Sequence, residues 1–385
     1  MSKDGREDYF RVVREEYVRS DKKTKGELLD RACQVTGLNR KVTGRHLSRA
    51  PSNRLFRVKR PDKYSLETKL TVIKLWHAAN DIAGERLQPF IPDLLAKLVQ
   101  FGLVVSPEAH TQLLGISTAT VKRIVAREQK RSTIRIGGTT KPGSLLKRQI
   151  SVRYGRWEET MPGWGEIDTV AHCGESLSGS FVYSLNLVDV ATSWSEQVAL
   201  WDKGEKAAVI GLDALRERLP FKLKGIDSDN GSEFINYHMQ RYAKKHRLTF
   251  TRSRPYRKND NAHVEQKNWT AIRQLVGYQR YDTRVQLDLL NELYAHEWRL
   301  YVNFFQPTMR VKEVIKDQAT GKKTKRYQQA QTPYQRLMAH PKITRKQKQL
   351  LQSTYDSLNP LALQAEIQRK LTMLEKTFRI LNQMS

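Results

Sequence analysis

The sequence predicts a multidomain protein with an all-α N-terminal part, a central α/β domain, and a basic C-terminal region that combines a small β element with helices. Three observations predict this arrangement. Apolar residues recur at helical spacing through residues 1–128. Short strand-like runs separated by helical segments follow in residues 157–306, which is typical of an α/β domain. The stretches before and after that domain are rich in Lys and Arg.

Two helix-turn-helix patterns occur in the N-terminal part. In residues 1–60, a turn at 36–39 precedes a basic helix, and the residues expected to enter a major groove are Arg40, Lys41 and Arg45. A plain helical hairpin with a solvated basic face is the alternative for this first pattern. In residues 61–128, a helix, a Leu-Gly-Ile turn and a second helix form a better match. The candidate DNA-binding residues of this second pattern are Ser117, Thr118, Thr120, Lys122 and Arg123.

Residues 129–156 are predicted to be a basic extended linker. Residues 122–156 hold eleven Lys or Arg against one acid, and the middle of this stretch has no apolar periodicity. We expect the linker to follow a phosphate backbone, because each neutralised phosphate releases counterions. A passive spacer is the alternative. The candidate contacts are Lys130, Arg131, Arg135 and Lys141.

Residues 157–306 are predicted to form the α/β domain. Strand-like runs at 165–171, 181–190 and 196–200 predict a three-stranded meander. The elements predicted to follow are a helix at 205–219, a strand that ends at Asp229, a helix at 234–247, a strand at 248–251 and a helix that carries Glu265.

Three carboxylates of this domain are candidate catalytic residues. Asp168 closes the first strand, Asp229 follows the fourth, and Glu265 lies on a helix after a gap of 35 residues. Clustered acids repel one another, but they suit Mg²⁺, which takes oxygen ligands. Two such ions stabilise the attacking and leaving oxygens of a phosphoryl displacement. Asp227 and Glu166 are rivals for Asp229 and Asp168, because residues two apart on a strand share a face.

The charge and cysteine content indicate the partner and the compartment. The 385 residues carry a formal net charge of +28, and such basicity is typical of proteins that bind an extended polyanion, usually nucleic acid. A membrane surface is the competing partner. No apolar run of 18 residues and no signal-peptide-like start occurs, so neither insertion nor export is expected. Cys33 and Cys173 lack metal-type spacing, which argues against a zinc site or a disulfide framework and indicates a reducing cytoplasm.

The pattern of acids resembles the D,D-35-E motif of retroviral integrases and of integrase-like bacterial insertion-sequence transposases. The resemblance covers about residues 160–310. It rests on Asp168, on Asp229-Asn230-Gly231 with Phe234, and on the run from Arg254-Pro255-Tyr256 to Glu265. It implies a ribonuclease-H-like fold with a mixed five-stranded sheet and flanking helices. It also implies two Mg²⁺ ions, replaceable by Mn²⁺, with Asp168 bridging both and Asp229 and Glu265 each binding one.

The implied function is that of a DNA transposase. It would bind the ends of its mobile element, free a 3′-OH by metal-dependent cleavage, and join that end to target DNA. The implied partners are double-stranded DNA and at least one further copy of the chain, in the bacterial cytoplasm at the nucleoid; the need for an accessory protein stays open. The alternatives are a ribonuclease-H-like nuclease that cuts without joining, and a non-enzymatic DNA-binding regulator.

Two further basic segments complete the chain. The loop at 252–260 alternates cations with an aromatic beside Glu265, and we expect it to grip the scissile strand. Its candidate DNA-binding residues are Arg254, Tyr256, Arg257 and Lys258. Residues 307–385 form the basic C-terminal region. Here a turn at 320–323 predicts a small β element between 311–315 and 324–327, and apolar spacing predicts a helix at 361–384.

Overall fold

The computed structural model describes residues 3–48, 62–129, 161–229, 231, 233–253, 262–318 and 320–384. The chain divides into two compact units, Met1–Lys63 and Tyr64–Ser385. The predicted linker lies outside the described residues, apart from Gln129 at its start. None of the helices in the described part of the chain combines the length and apolarity needed to cross a bilayer.

Three helices form the first unit: α1 (Lys3–Arg19), α2 (Lys22–Thr36) and α3 (Arg40–Ser48). The carboxylate of Asp21 accepts a hydrogen bond from the amide of Thr24 and so caps the start of α2. The helix ends at Gly37, whose φ of 68° lies in the left-handed region that favours glycine. Each helix contributes one residue to the core: Phe10, Ala32 and Leu47.

The second unit begins with five helices: α4 (Leu66–Ala78), α5 (Gly84–Leu87), α6 (Ile91–Gln100), α7 (Pro107–Leu114) and α8 (Thr118–Gln129). Ser65 and Ser106 cap α4 and α7 with their hydroxyl groups. These helices share one hydrophobic core with the domain that follows. Tyr301 donates to the carbonyl of Ala78 at 2.8 Å, which fixes the end of α4 on that domain.

The central domain is built on a mixed five-stranded sheet in the order β3-β2-β1-β4-β5. Its strands and intervening helices are β1 (Trp164–Ala171), β2 (Tyr183–Asp189), β3 (Ser195–Leu200), α9 (Glu205–Arg218), β4 (Gly225–Ser228), α10 (Tyr237–His246) and β5 (Thr249–Arg252). β1, β2 and β3 form an antiparallel meander, whereas β4 is parallel to both β1 and β5. The central strand is therefore β1, as expected for the strand that carries Asp168.

Helices cover both faces of the sheet. One face, with Ile167 and Leu185, packs on α9 and α10. The opposite face is covered by α11 (Ala262–Lys267), which continues through a π-helical segment (Asn268–Arg273) into α12 (Gln274–Val276). It is also covered by α13 (Arg284–Leu293), a second π-helical segment (Tyr294–Trp298) and α14 (Arg299–Phe304). The predicted strands and helices of this domain are thus present, with ends shifted by a few residues.

The C-terminal region contains the predicted small sheet, β6 (Val311–Lys316) and β7 (Lys323–Tyr327), and three helices, α15 (Pro333–Ala339), α16 (Arg345–Ser357) and α17 (Pro360–Met384). The helix α17 corresponds to the predicted C-terminal helix. Helices α15 and α16 were not predicted from the sequence. Both begin with a capping box, Thr332 with Gln335 and Thr344 with Gln347, and that pattern is a signal that predicts a helix start. The predicted fold class is confirmed.

Candidate active site

Asp168 lies in the middle of the sheet on the face covered by α11. One carboxylate oxygen accepts a hydrogen bond from the amide of Thr169 at 2.7 Å. The other accepts from the side-chain amide of Asn268 on the helical segment above it, also at 2.7 Å. Burial, and then the negative charge of Asp229, raise the pKa of Asp168 to about 8. A carboxylate at this position is therefore strongly disfavoured without a counter-charge.

Asp229 directly follows β4, the parallel neighbour of β1. The carboxyl ends of the two strands lie at the same edge of the sheet, so the two aspartates approach each other. The carboxylate of Asp229 accepts from the amide of Gly231 at 2.8 Å. Burial raises the pKa of Asp229, and so do the charges of Glu233 and Glu265, while the Gly231 amide and Lys203 oppose the rise. The charges converging here are mostly negative.

Glu233 is an additional buried acid that the sequence analysis missed. Its carboxylate accepts a hydrogen bond from the hydroxyl of Thr169 at 2.9 Å, next to Asp168 in the chain. A Cβ atom placed on Gly231 would lie 2.7 Å from Glu233 Oε2 and 2.9 Å from Asp229 Oδ1. Glycine at this position therefore lets the two carboxylates flank the backbone. The sequence signal that could have indicated Glu233 is its position in the same loop as Asp229.

Glu265 lies on α11 and is exposed. Its charge acts on Asp229, so it belongs to the same electrostatic environment. In the part of the chain that the structure describes, however, no three His, Cys, Asp or Glu side chains stand close enough together to hold a metal ion. The structure thus brings Asp168 and Asp229 together and leaves Glu265 at the margin. Its role as the third ligand stays a prediction.

Glu166, the rival to Asp168, has a different position and contact. It points to the same face of β1 and is buried. One of its carboxylate oxygens accepts from the amides of His263 and Val264, both at 3.0 Å. These amides belong to the first turn of α11, where a negative charge is favourable. Glu166 therefore anchors the start of the helix that carries Glu265.

Asp227, the rival to Asp229, is fully buried within the sheet. It lies beside Glu166 in the register of β4 with β1, and it accepts a hydrogen bond from the hydroxyl of Thr251 on β5. This contact ties two neighbouring strands together. Asp229, in contrast, lies just after the last residue of β4, at the edge of the sheet.

A row of amide side chains leads across the sheet to Asp168. Gln197 donates to Asn186 at 3.0 Å, Asn186 donates to Asn268 at 2.8 Å, and Asn268 donates to Asp168. The first two face each other across β3 and β2, and Asn186 faces Asp168 across β2 and β1. Every donor in the row points toward the carboxylate. The row therefore fixes the orientation of Asp168 from the buried side of the sheet.

Lys267 brings a buried positive charge to the same helix. Its side chain is almost fully buried, two residues beyond Glu265. Burial, and then the positive charges of Arg336 and Arg86, lower its pKa to about 7. The helix thus presents its acid to solvent and its lysine to the interior.

The predicted DNA-binding residues differ in their surroundings. On α3, Lys41 and Arg45 are exposed, whereas Arg40 forms an ion pair with Asp30. On α8, Lys122 pairs with Glu85, and Arg123 donates to the hydroxyl of Thr120 at 2.9 Å.

Ser117 and Thr118 have contacts within the protein as well. Ser117 caps the start of α8 by accepting from the amide of Thr120 at 3.3 Å, and Thr118 donates to Gln88 at 3.1 Å. The other candidates lie outside the described residues: Lys130, Arg131, Arg135, Lys141, Arg254, Tyr256, Arg257 and Lys258.

Comparison with known proteins finds similar sequences and structures. The family model described as "Integrase core domain" matches residues 159–258, which span β1 to β5. The catalytic core of BIV integrase aligns at 14% identity over 45% of this chain and 91% of that one, with a TM-score of 0.30. The HTLV-2 integrase catalytic core, described as dimeric and in complex with magnesium, aligns at 14% identity over 43% and 95%, with a TM-score of 0.29.

The central domain is an integrase core domain, and the resemblance predicted from the sequence is confirmed. The matched residues include both Asp168 and Asp229. The chain belongs to the family of the Sinorhizobium fredii protein y4rM, which is described as uncharacterized. The two are 37% identical over 330 residues, which cover 84% of this chain and 92% of that protein.

Proposed function

We propose that this chain is a DNA transposase that binds the ends of its element, cleaves at the 3′ end, and transfers that end into target DNA. The observation that carries the proposal is the approach of Asp168 and Asp229 at one edge of an integrase core domain. Glu265, whose charge acts on Asp229, lies on a helix whose start Glu166 holds to the sheet. The net charge of +28 supports DNA as the substrate.

The acids fit a divalent cation in charge and in chemistry. Burial and nearby negative charges raise the pKa values of Asp168 and Asp229, and a hard cation with oxygen ligands would remove both costs. In the proposed site Asp168 and Asp229 would be metal ligands, and Glu265 would complete the set. Two Mg²⁺ ions held there, or Mn²⁺ in their place, would supply Lewis acidity to the attacking and leaving oxygens.

Residues of the chain itself orient the carboxylate of Asp168. Asn268 holds one oxygen of Asp168 and the Thr169 amide holds the other, so its carboxylate is oriented before substrate binds. In cleavage, the oxygen of water forms a bond to phosphorus and the 3′ oxygen leaves with a proton. In joining, that 3′-OH attacks a target phosphodiester and the target 3′ oxygen leaves. Joining conserves the number of phosphodiesters, so no nucleotide hydrolysis is required.

End recognition is assigned to the two helix-turn-helix segments, with a domain partition at 1–60, 61–128, 129–156, 157–306 and 307–385. In this proposal α3 and α8 read bases, while the linker and the 252–260 loop contact phosphates. Joining two ends requires at least a dimer on DNA. The exposed side chains of Lys41 and Arg45 support this assignment for α3. On α8, the contacts of Lys122 and Arg123 must open for base reading.

The test is strand transfer by Asp229→Asn, with the end sequence taken from inverted repeats in the DNA that flanks the gene. We expect cleavage and joining to be abolished and end binding to be unchanged, because the amide keeps the shape but lacks the charge that holds the metal. Asp227→Asn is the matched control, since it removes a carboxylate two residues away that contacts Thr251 instead. This control should retain most activity.

The outcomes separate the candidate functions. Mg²⁺-dependent joining by Asp229→Asn would refute the site. Wild-type protein that cuts ends without joining them would be a nuclease. Wild-type protein that binds ends and neither cuts nor joins under Mg²⁺ or Mn²⁺ would be a regulator.

A further inference from the structure

The β6–β7 hairpin is exposed along its whole length. Every residue of β6 and β7 is exposed, including Val311, Val314, Ile315 and Tyr327. An isolated two-stranded hairpin is marginally stable in water, because it has no third strand or helix to cover a face. A hairpin of this kind gains most from a partner that covers it.

The pairing register sorts its side chains onto two different faces. Residues directly opposite each other share a face, and residues two apart on a strand share it too. One face carries Glu313 with Arg326, which form an ion pair at 3.2 Å, and Ile315 with Thr324. The other face is formed by Val314, Lys316, Lys323, Lys325, Val311 and Tyr327, the last two beyond a bulge. This second face, here called the lysine face, contains no acid.

The lysine face contains an unfavourable pair. Lys316 lies directly opposite Lys323 in the register, and like charges in that position destabilise a hairpin. Lys325 adds a third cation on the same face, two residues from Lys323. The opposite face shows that the hairpin accommodates a neutralising pair, Glu313 with Arg326. An anion lying on the lysine face would remove the repulsion.

We propose that the lysine face lies on the phosphate backbone of double-stranded DNA, as a contact outside the integrase core. The charge of the segment identifies the partner, since residues 311–327 hold six Lys or Arg against two acids. A second copy of this chain suits the hairpin less well, because lysines on edge strands oppose edge-to-edge pairing. The inference rests on the proposed function only for its choice of DNA as ligand.

The experiment replaces three lysines of the full-length chain: Lys316→Gln, Lys323→Gln and Lys325→Gln. Binding to end DNA is measured from low to high salt. We expect the slope of log K against log[salt] to become shallower by about 0.9 for each lost phosphate contact. Preference for end over random DNA should stay the same, because phosphate contacts carry no direct sequence information. The unfolding temperature should not fall, since every residue of the two strands is exposed.

Two controls make the result specific. The first removes three exposed cations from the same region, Lys342→Gln, Arg345→Gln and Lys346→Gln, so the net charge falls equally. The second neutralises the other face with Glu313→Gln and Arg326→Gln. Both should leave the slope near that of wild type.

The proposal is overturned if the lysine variant has the wild-type slope, or loses no more slope than the triple control. It is also overturned if the variant changes only the oligomeric state in sedimentation, which would make the hairpin an interface between copies. Either result leaves wild-type strand transfer intact. Failure of the proposed function would appear separately, as wild-type protein that never joins DNA.

Discussion

Glu166 is the residue through which the sheet controls the position of Glu265. One of its carboxylate oxygens accepts hydrogen bonds from two backbone amides in the first turn of α11. We expect Glu166→Leu to lower kcat for joining about ten- to a hundredfold, because a small misplacement of a catalytic group has effects of that size. The Kd for end DNA should not change. The conservative Glu166→Gln, which keeps an acceptor for the helix, should restore most of kcat.

His172 predicts how the protein responds to acid. It is fully buried, its Nε2 lies 2.7 Å from the hydroxyl of Ser184, and burial together with the charge of Arg273 lowers its pKa to about 3. A group whose pKa is depressed by folding contributes stability above its unfolded pKa of about 6.5 and loses it as pH falls below that value.

The measurement is the free energy of unfolding by urea between pH 7 and pH 4.5. We expect wild type to lose about 1.4 kcal/mol per pH unit from this one group below pH 6. His172→Gln, which has no proton to gain, should show a flatter profile. Equal slopes for both proteins would contradict the assignment.

At this scale the sequence predicted candidate residues that have a fixed spacing, and their catalytic role stays a prediction. It missed side chains that only three-dimensional contact brings to the site. Asp168 and Asp229 follow from their places at strand ends. The role of Asn268 depends on the register of β1, β2 and β3, which brings Asn186 and Gln197 into line with Asp168. Glu233 depends on a loop path around Gly231. No periodicity in the sequence contains that information.

Among the elements, β3 shows how an edge strand is covered by side chains. Asn303 accepts from the amide of Ser195 at 2.9 Å and donates to its carbonyl at 2.8 Å. Asn291 does the same for Ala199, at 2.8 and 3.0 Å. Two helical residues thus replace the next strand, and the edge is closed to pairing with another chain.

We expect Asn303→Ala to lower the free energy of unfolding by about 2–4 kcal/mol. Asn303 and Ser195 are fully buried, so the change leaves the backbone amide and carbonyl of Ser195 buried without these hydrogen bonds. Asn291→Ala should cost less, because Asn291 is only partly buried. Urea denaturation of both variants provides the comparison, and an equal or reversed order would contradict this account.

The elements themselves were largely predictable, since apolar periodicity and turn residues decide the strands and long helices. Helix α16 was missed because Leu351 is its one buried residue and most of its other residues are polar. The π-helical segment that begins at Asn268 also has no sequence signal. In this segment, whose turns are wider than those of an α-helix, Ala271 and Ile272 pack into the core.

At the scale of the whole molecule, the two units should unfold separately. Residues 3–48 have a core of their own, whereas α4–α8 share a core with the integrase domain. Calorimetry of the full chain should therefore show a small transition and a large one. Tyr301→Phe should lower the stability of the large transition by about 1–2 kcal/mol, because it removes the donor to Ala78, and should leave the small one unchanged. A third transition from residues 64–129 alone would contradict the shared core.

The shared core also fixes the distance between α8 and the acids of the sheet. If α8 reads bases, its helix and the acids of the sheet are parts of one packed body, so the protein acts as a ruler along the duplex. The cut then falls a fixed number of base pairs from the bases that α8 reads. Insertion of about five base pairs between them would turn the scissile phosphate to the far side of the duplex, and insertion of about ten would restore its phase but place it one helical turn too far away.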